Sequence, residues 1–141
     1  MIAIIRIRGQ VEISGEVKET LNRLRLRKKY SCIIVKEKPE IAGMLKRIEN
    51  FVAYGNIDKK MLVELIEKRG KAIDKSKKID AEKIASEFIE AKTDKKFSKL
   101  GIKDFFSLHP PRKGIKSKLH YPKGVLGNHK DKISELLRRM L

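Results

Sequence analysis

The side chains in this sequence that could act as ligands, nucleophiles or acid–base groups are few and poorly placed for those tasks. The three histidines, His109, His120 and His129, lie among lysines with few acidic neighbours, at a spacing that matches no common metal site. Clustered cations repel a metal ion rather than hold it. The one cysteine, Cys32, sits in the apolar run Cys32-Ile33-Ile34-Val35. It has no nearby histidine or helix start to make it a nucleophile, and it has no partner for an internal disulfide. Gly114-Ile115-Lys116-Ser117 lacks the upstream glycine of a phosphate loop. The carboxylates of residues 57–95 alternate with lysines, as on a solvated helix, and nothing marks a buried pair for proton transfer. The sequence therefore points to no metal, no cofactor and no enzymatic activity.

What the spacing does support is contact with phosphate. Five of the seven residues from Arg23 to Lys29 are basic, with Leu24 and Leu26 between them. Apolar side chains can then turn inward while the cations face out. A helix end favours one or two cations, by about 0.3–1 kcal/mol each. Five exceed that need, and a polyanion relieves their mutual repulsion. A second basic stretch follows His109-Pro110-Pro111, where Arg112, Lys113, Lys116, Lys118 and Lys123 are scattered among Gly114, Gly124 and Gly127. Prolines and glycines there suit an extended path along a groove. Tyr121 is the tyrosine best placed to stack on a base, whereas Tyr30 and Tyr54 suit packing at a sheet edge.

The elements that must position these groups can be read from periodicity. Ile2, Ile4, Ile5 and Ile7 around Arg6 and Arg8 form a strand whose alternation puts both arginines on one face. Ser14 caps a helix with Val17, Leu21 and Leu24 on one stripe, and Cys32–Val35 is a strand covered on both faces or nearly so. Pro39 opens a second helix with Ile41, Met44, Leu45 and Ile48 inward and Lys46 and Arg47 outward. Phe51–Tyr54 is a third strand, ended by Gly55. Asp58 starts a helix that stops at Gly70, a residue tolerant of the left-handed conformation. Residues 71–79 look like a connector, and a helical stripe of Ile84, Ala85, Phe88 and Ile89 follows. After a polar link, Phe105–Leu108 is expected as an edge strand. Nothing in 109–127 can build a core, so that segment should be mobile until bound. Asn128 starts a last helix with Ile133, Leu136, Leu137 and Met140 on one stripe.

With 141 residues and 40% apolar content the chain can bury a real core. Thirty-five basic residues against 18 acidic ones give a net charge of +17, which a polyanionic partner explains most simply. The charge is uneven: +6 in residues 1–56, +2 in 57–95 and +9 in 96–141. The expected layout is a βαβαβ RNA-binding core over 1–56, further helices over 57–95, and a basic extension with a terminal helix over 96–141. No apolar run approaches the roughly 18 residues of a spanning helix. MIAIIRIRG carries arginines where a signal peptide would place its cleavage site. The expectation is a cytoplasmic protein without a membrane partner.

The segment 20–52 resembles ribosomal protein L-thirty of the large subunit, the family whose eukaryotic member is called L-seven. The residues that carry the likeness are Thr20-Leu21, Leu24, Leu26, Lys28, Ser31 and Ile33, then Met44-Leu45, Ile48 and Phe51-Val52. The opening IRIRG and the phrase GMLKRIENFVAYG are similar too. HPPRKG at His109–Gly114 and LGNH at Leu126–His129 resemble the extension of archaeal and eukaryotic members, and with the length they imply an archaeal one. The resemblance implies an α+β fold, ferredoxin-like, with a small three-stranded sheet, helices on one face and a helical and extended basic appendage at the C-terminus. It also implies a structural role in the large ribosomal subunit, bound to ribosomal RNA beside the 5S RNA and next to other ribosomal proteins. The candidate RNA contacts are Arg6, Arg8, Arg23, Arg25, Arg27, Lys28, Lys29, Lys46, Arg47, His109, Arg112, Lys113, Lys116, Lys118, Tyr121 and Lys123. Two rivals stay open from the residues alone: an RNA-modifying enzyme or accessory, and a DNA-compacting protein.

Overall fold

The computed structural model describes residues 1–74, 78–91 and 97–141. The strands are β1 (Ile2–Arg6), β2 (Ser31–Val35), β3 (Val52–Asn56), β4 (Phe106–Ser107) and β5 (Gly127–Asn128), in one sheet of order β4-β2-β1-β3-β5. The helices are α1 (Gly15–Arg23), α2 (Pro39–Ile48), α3 (Lys59–Arg69), α4 (Ala81–Glu90) and α5 (Ile133–Met140). β1 is the middle strand, antiparallel to β2 with Ile5 opposite Cys32, and antiparallel to β3 with Arg6 opposite Val52. β4 pairs antiparallel with β2, and β5 pairs parallel with β3.

The α+β class holds, the short strands β4 and β5 widen the sheet beyond three strands, and both of its faces are apolar. Ile4 and Ile33 point to one face, where Leu21, Leu24, Leu45 and Ile48 of the α1 and α2 region cover them. Ala3, Ile5, Cys32 and Ile34 point to the other, into a cluster with Met61, Leu62, Leu65, Ala85 and Phe88 from α3 and α4 and Ile133, Leu136, Leu137 and Met140 from α5. Helices therefore lie on both faces, not one. A doubly covered sheet is the reason these strands read as continuous apolar runs. Cys32 is fully buried there, and desolvation pushes its thiol far above the ordinary range, which leaves it a small hydrophobe.

The C-terminal third is stitched into this core. Phe88 of α4 stacks on Phe97 at 4.2 Å, and Phe97 meets Phe106 of β4 edge-on at 5.6 Å. Contacts of this kind are worth about 0.5–1.5 kcal/mol each beyond burial. Phe105–Leu108 does supply an edge strand, though only its middle two residues pair. Val125 and Leu126 are buried in the same cluster, which overturns the expectation that 109–127 contributes no core. Asn128 accepts from the N–H of Lys130 at 2.8 Å and opens the 3-10 turn Lys130–Lys132 that leads into α5.

Local signals held at most helix starts. Ser14, Asp58 and Asp80 occupy N-cap positions, although none of their side chains makes the capping bond, and Pro39 stands in the first turn of α2. Two glycines work differently from the sequence reading. Gly70 is extended (φ −61°) rather than left-handed, and a Cβ there would strike the carbonyl of Ile66. Gly55 lies inside β3, where a Cβ would collide with the backbone of Lys130 and with Ile133. Both positions need glycine for close approach of backbones. Residues 75–77 of the expected connector and 92–96 of the expected polar link lie outside the described residues. Nearby, Ala72 bridges to Ile102 and Ile79 packs on the core. Among the described residues no helix is long and apolar enough to cross a membrane.

Candidate nucleic-acid interface

The basic turn is shaped first by its backbone. The N–H of Leu26 donates to the Leu21 carbonyl at 2.8 Å and that of Arg25 to the Asn22 carbonyl at 2.9 Å, the paired bonds of a Schellman helix end. That motif puts Arg25 in the left-handed region (φ 57°), where glycine is usual. Leu21 and Leu26 meet in the core as the motif favours, so Leu24 and Leu26 face in while Arg25, Arg27, Lys28 and Lys29 are exposed. At the far end Tyr30 is also left-handed (φ 62°), with its N–H on the Arg6 carbonyl at 2.7 Å. The hydroxyl of Ser31 donates to the Lys28 carbonyl at 2.8 Å.

Arg6 is a correction. Alternation placed it beside Arg8 as an RNA contact, but it is 2% exposed and its guanidinium is used up inside the protein. Nη1 donates to the carbonyls of Leu26 (2.7 Å) and Arg27 (2.9 Å), Nε to Arg8 (3.0 Å) and Nη2 to Gly9 (3.0 Å). Burial lowers its pKa from the ordinary value. Carbonyl oxygens on four sides offset that desolvation, since a buried cation costs several kcal/mol unless it is fully hydrogen-bonded. Arg6 thus ties the loop after β1 to the basic turn.

The register then gathers the basic segments at one end of the sheet. β1 ends there at Arg6, opposite the starts of β2 and β3. Arg8 and residues 23–29 are consequently neighbours, and α2 brings Lys46 and Arg47, both exposed, to the same end just before β3. Antiparallel β4 runs past Ser31 toward that end, with the N–H of Leu108 on the Tyr30 carbonyl at 3.0 Å, so His109 and the prolines follow there. Parallel β5 begins opposite Ala53, so the loop preceding Gly127 arrives at that end as well. Cross-links join the parts: the N–H groups of Ile7 and Arg8 share the Phe51 carbonyl, and His120 Nε2 is 2.7 Å from Asn50 Oδ1. Of the sequence-derived candidates, Arg8, Arg27, Lys28, Lys29, Lys46, Arg47, His109, Arg112, Lys113, Lys116, Lys118 and Lys123 are exposed. Arg23 and Arg25 are exposed too, paired at 2.5 Å with Glu19 and Asp104 respectively.

The extension is built against α5. The N–H groups of His109 and Arg112 donate to the carbonyls of Met140 (3.0 Å) and Arg139 (2.8 Å). In return the Arg139 guanidinium donates to the carbonyls of Arg112 (Nε 3.0 Å, Nη2 2.9 Å) and Gly114 (Nη2 2.6 Å). Between this loop and α5 lies a groove of about 520 Å³ whose walls include Lys116, Tyr121, Lys123, Lys132 and Arg139. Lys132 and Arg139, which border this groove, are not among the contacts the sequence suggests. His129, weighed from the sequence only as a metal ligand, is not among those contacts either. It is buried, its Nε2 lies 2.7 Å from the Val125 carbonyl, and its ring is 4.6 Å from that of Tyr121. Among the described residues no group of histidine, cysteine or acidic side chains could hold a metal ion.

Comparison with known proteins adds an independent line. The family described as "Ribosomal protein L30p/L7e" matches residues 2–52. The large ribosomal subunit protein uL30 of Archaeoglobus fulgidus is 39% identical over 152 aligned positions, covering 99% of each chain. Its counterpart from Methanococcus vannielii is 34% identical over 154 positions, with 99% of this chain and 98% of the relative covered. The one from Nanoarchaeum equitans is 35% identical over 156 positions, covering 100% and 99%.

Two substitutions check this geometry. Arg6→Met should strand the four carbonyls and cost on the order of 3 kcal/mol, lowering the thermal midpoint by roughly 10 °C for a chain of this size. A midpoint within about 2 °C of the wild type would mean that the guanidinium does not hold the turn. For His129, burial depresses the imidazole pKa from its ordinary 6.5, with the Val125 carbonyl pulling the other way. The folded state then binds fewer protons than the unfolded one below that value. Stability from this group is full above 6.5 and is lost as pH falls from there toward the depressed value. Melting at about pH 7.5 and 5.5 should show a decline that His129→Gln, which keeps a donor but does not titrate, makes shallower. Parallel declines in the two proteins would contradict the assignment.

Proposed function

Because the chain belongs to the ribosomal protein L30p/L7e family, we propose that it is a structural constituent of the large ribosomal subunit that binds and positions ribosomal RNA, with the 5S RNA and other ribosomal proteins as neighbours. The observation that carries the proposal is the gathering of basic segments from both ends of the chain at one end of the sheet. Arg8, the 25–29 turn, Lys46 and Arg47, and the 109–127 extension make one cationic front there. The +17 charge supports the same reading, since neutralised phosphates release counterions and so drive binding.

The mechanism follows from how the front is held. Phosphate contacts confer affinity but no sequence preference, so position on folded RNA is set by shape. Shape-reading requires that the cations stand on fixed backbone. The Schellman turn, the Arg6 cage and the Arg139 clamp each tie a cation-bearing loop through its carbonyls. Side chains are left outside, free to reach phosphates. Held this way, the loops lose little further backbone freedom on binding, where ordering costs about 1–2 kcal/mol per residue for a loose chain.

The test is competition between large-subunit ribosomal RNA and duplex DNA of equal phosphate content for the purified protein, together with incorporation into reconstituted large subunits. Preference for the folded RNA and stoichiometric incorporation are expected. Equal competition by duplex DNA would instead support a compacting protein. Replacing Arg27, Lys28 and Lys29 together by Gln should leave the melting temperature unchanged. The same change should reduce the slope of log affinity against log salt by roughly two to three, at about 0.7–0.9 per contact. An unchanged slope would remove the turn from the interface.

A further inference from the structure

Resting on that RNA-binding reading, we propose that the groove between residues 113–125 and α5 seats one unstacked ribonucleotide, its base against the Tyr121 ring and its phosphates against Lys116, Lys123 and Lys132. The groove, about 520 Å³, falls within the several hundred cubic ångströms of sites that enclose small ligands. Among the described residues its lining combines Lys113, Lys116, Lys123, Lys132 and Arg139 with the single carboxylate of Glu135. That balance favours a ligand of at least two negative charges.

The aromatic element separates a nucleotide from a plain anion. Tyr121 is half-buried, with its N–H held by the Leu126 carbonyl at 2.8 Å and its ring braced by His129 at 4.6 Å and a 38° tilt. His129 is itself pinned to the Val125 carbonyl at 2.7 Å. The ring is therefore a platform built before any ligand arrives, which saves the entropy of ordering it on binding. A paired A-form helix keeps its bases stacked inside and could offer this groove only its backbone. A looped or bulged nucleotide can present a base face to the ring while its flanking phosphates meet the lysines.

The experiment uses the full-length protein with two labelled probes of equal charge, hexaadenylate and a hexamer of abasic ribose phosphate. Hexaadenylate should bind about fivefold or more tightly than the abasic hexamer. Tyr121→Leu should remove that advantage without changing abasic binding, and Tyr121→Phe should keep it. Equal binding of the two probes to the wild type, or a preference that survives Tyr121→Leu, would overturn the proposal, as would equally effective competition by hexaglutamate. If Tyr121→Leu lowers the melting temperature, photo-cross-linking of a 4-thiouridine hexamer to the wild type decides: attachment at Tyr121 supports the site, and attachment only elsewhere overturns it. Incorporation into large subunits is scored separately. A protein that assembles but shows no base preference overturns the groove alone. One that shows base preference but ignores large-subunit RNA overturns the ribosomal reading alone.

Discussion

A buried guanidinium is the constraint around which the basic end of this molecule is arranged. Arg6 is the last residue of the central strand, and its side chain runs under the loops and donates to carbonyls at residues 8, 9, 26 and 27. A cation at that depth is tolerable only when oxygen atoms replace its water. The loops must therefore turn their carbonyls inward, and with the backbone so directed, Arg8, Arg27 and Lys28 project outward. One internal cation thus sets the direction of several external ones. At the other basic segment Arg139, which is exposed and needs no such compensation, ties a loop in place by donating to the carbonyls of Arg112 and Gly114.

The two-sided sheet does the rest of the positioning. α1 and α2 fill one face and α3, α4 and α5 the other. Strand ends are thereby fixed between two helical layers, and loops leaving the sheet at one end are held close together. The short outer strands β4 and β5 add little pairing of their own, but they bring residues more than seventy positions along the chain to the loops of β1 and β2. Gly55 permits the close approach of β3 to the start of α5 on which this depends.

Much of this was legible in the residues. Each longer element announced itself by period: two-residue alternation in Ile2–Ile7, and three- and four-residue recurrence from Leu21 and Leu24 to Leu137 and Met140. What failed to show were features set by tertiary closure. Alternation gives the face on which Arg6 lies but cannot say that a loop will fold over that face. Val125 and Leu126 are two apolar residues among lysines, too few for a pattern, so their burial and the strand beginning at Gly127 were not visible. The left-handed Arg25 gave no glycine signal. The polyanion partner could be argued from charge alone, while the ribosome came from resemblance in segment 20–52.

The measurement that bears most directly on the cationic front is lysine reactivity toward an acylating reagent, site by site, in the free protein and in assembled large subunits. All the lysines concerned are exposed in the structure, so each should react readily in the free protein. In the subunit, Lys28, Lys29, Lys46, Lys116 and Lys123 should become protected together. Lys59 and Lys60, which open α3 just past the opposite end of β3, should keep reacting. If Lys28, Lys29 and Lys116 react as fast in the subunit as in the free protein, the basic end of the sheet does not face RNA.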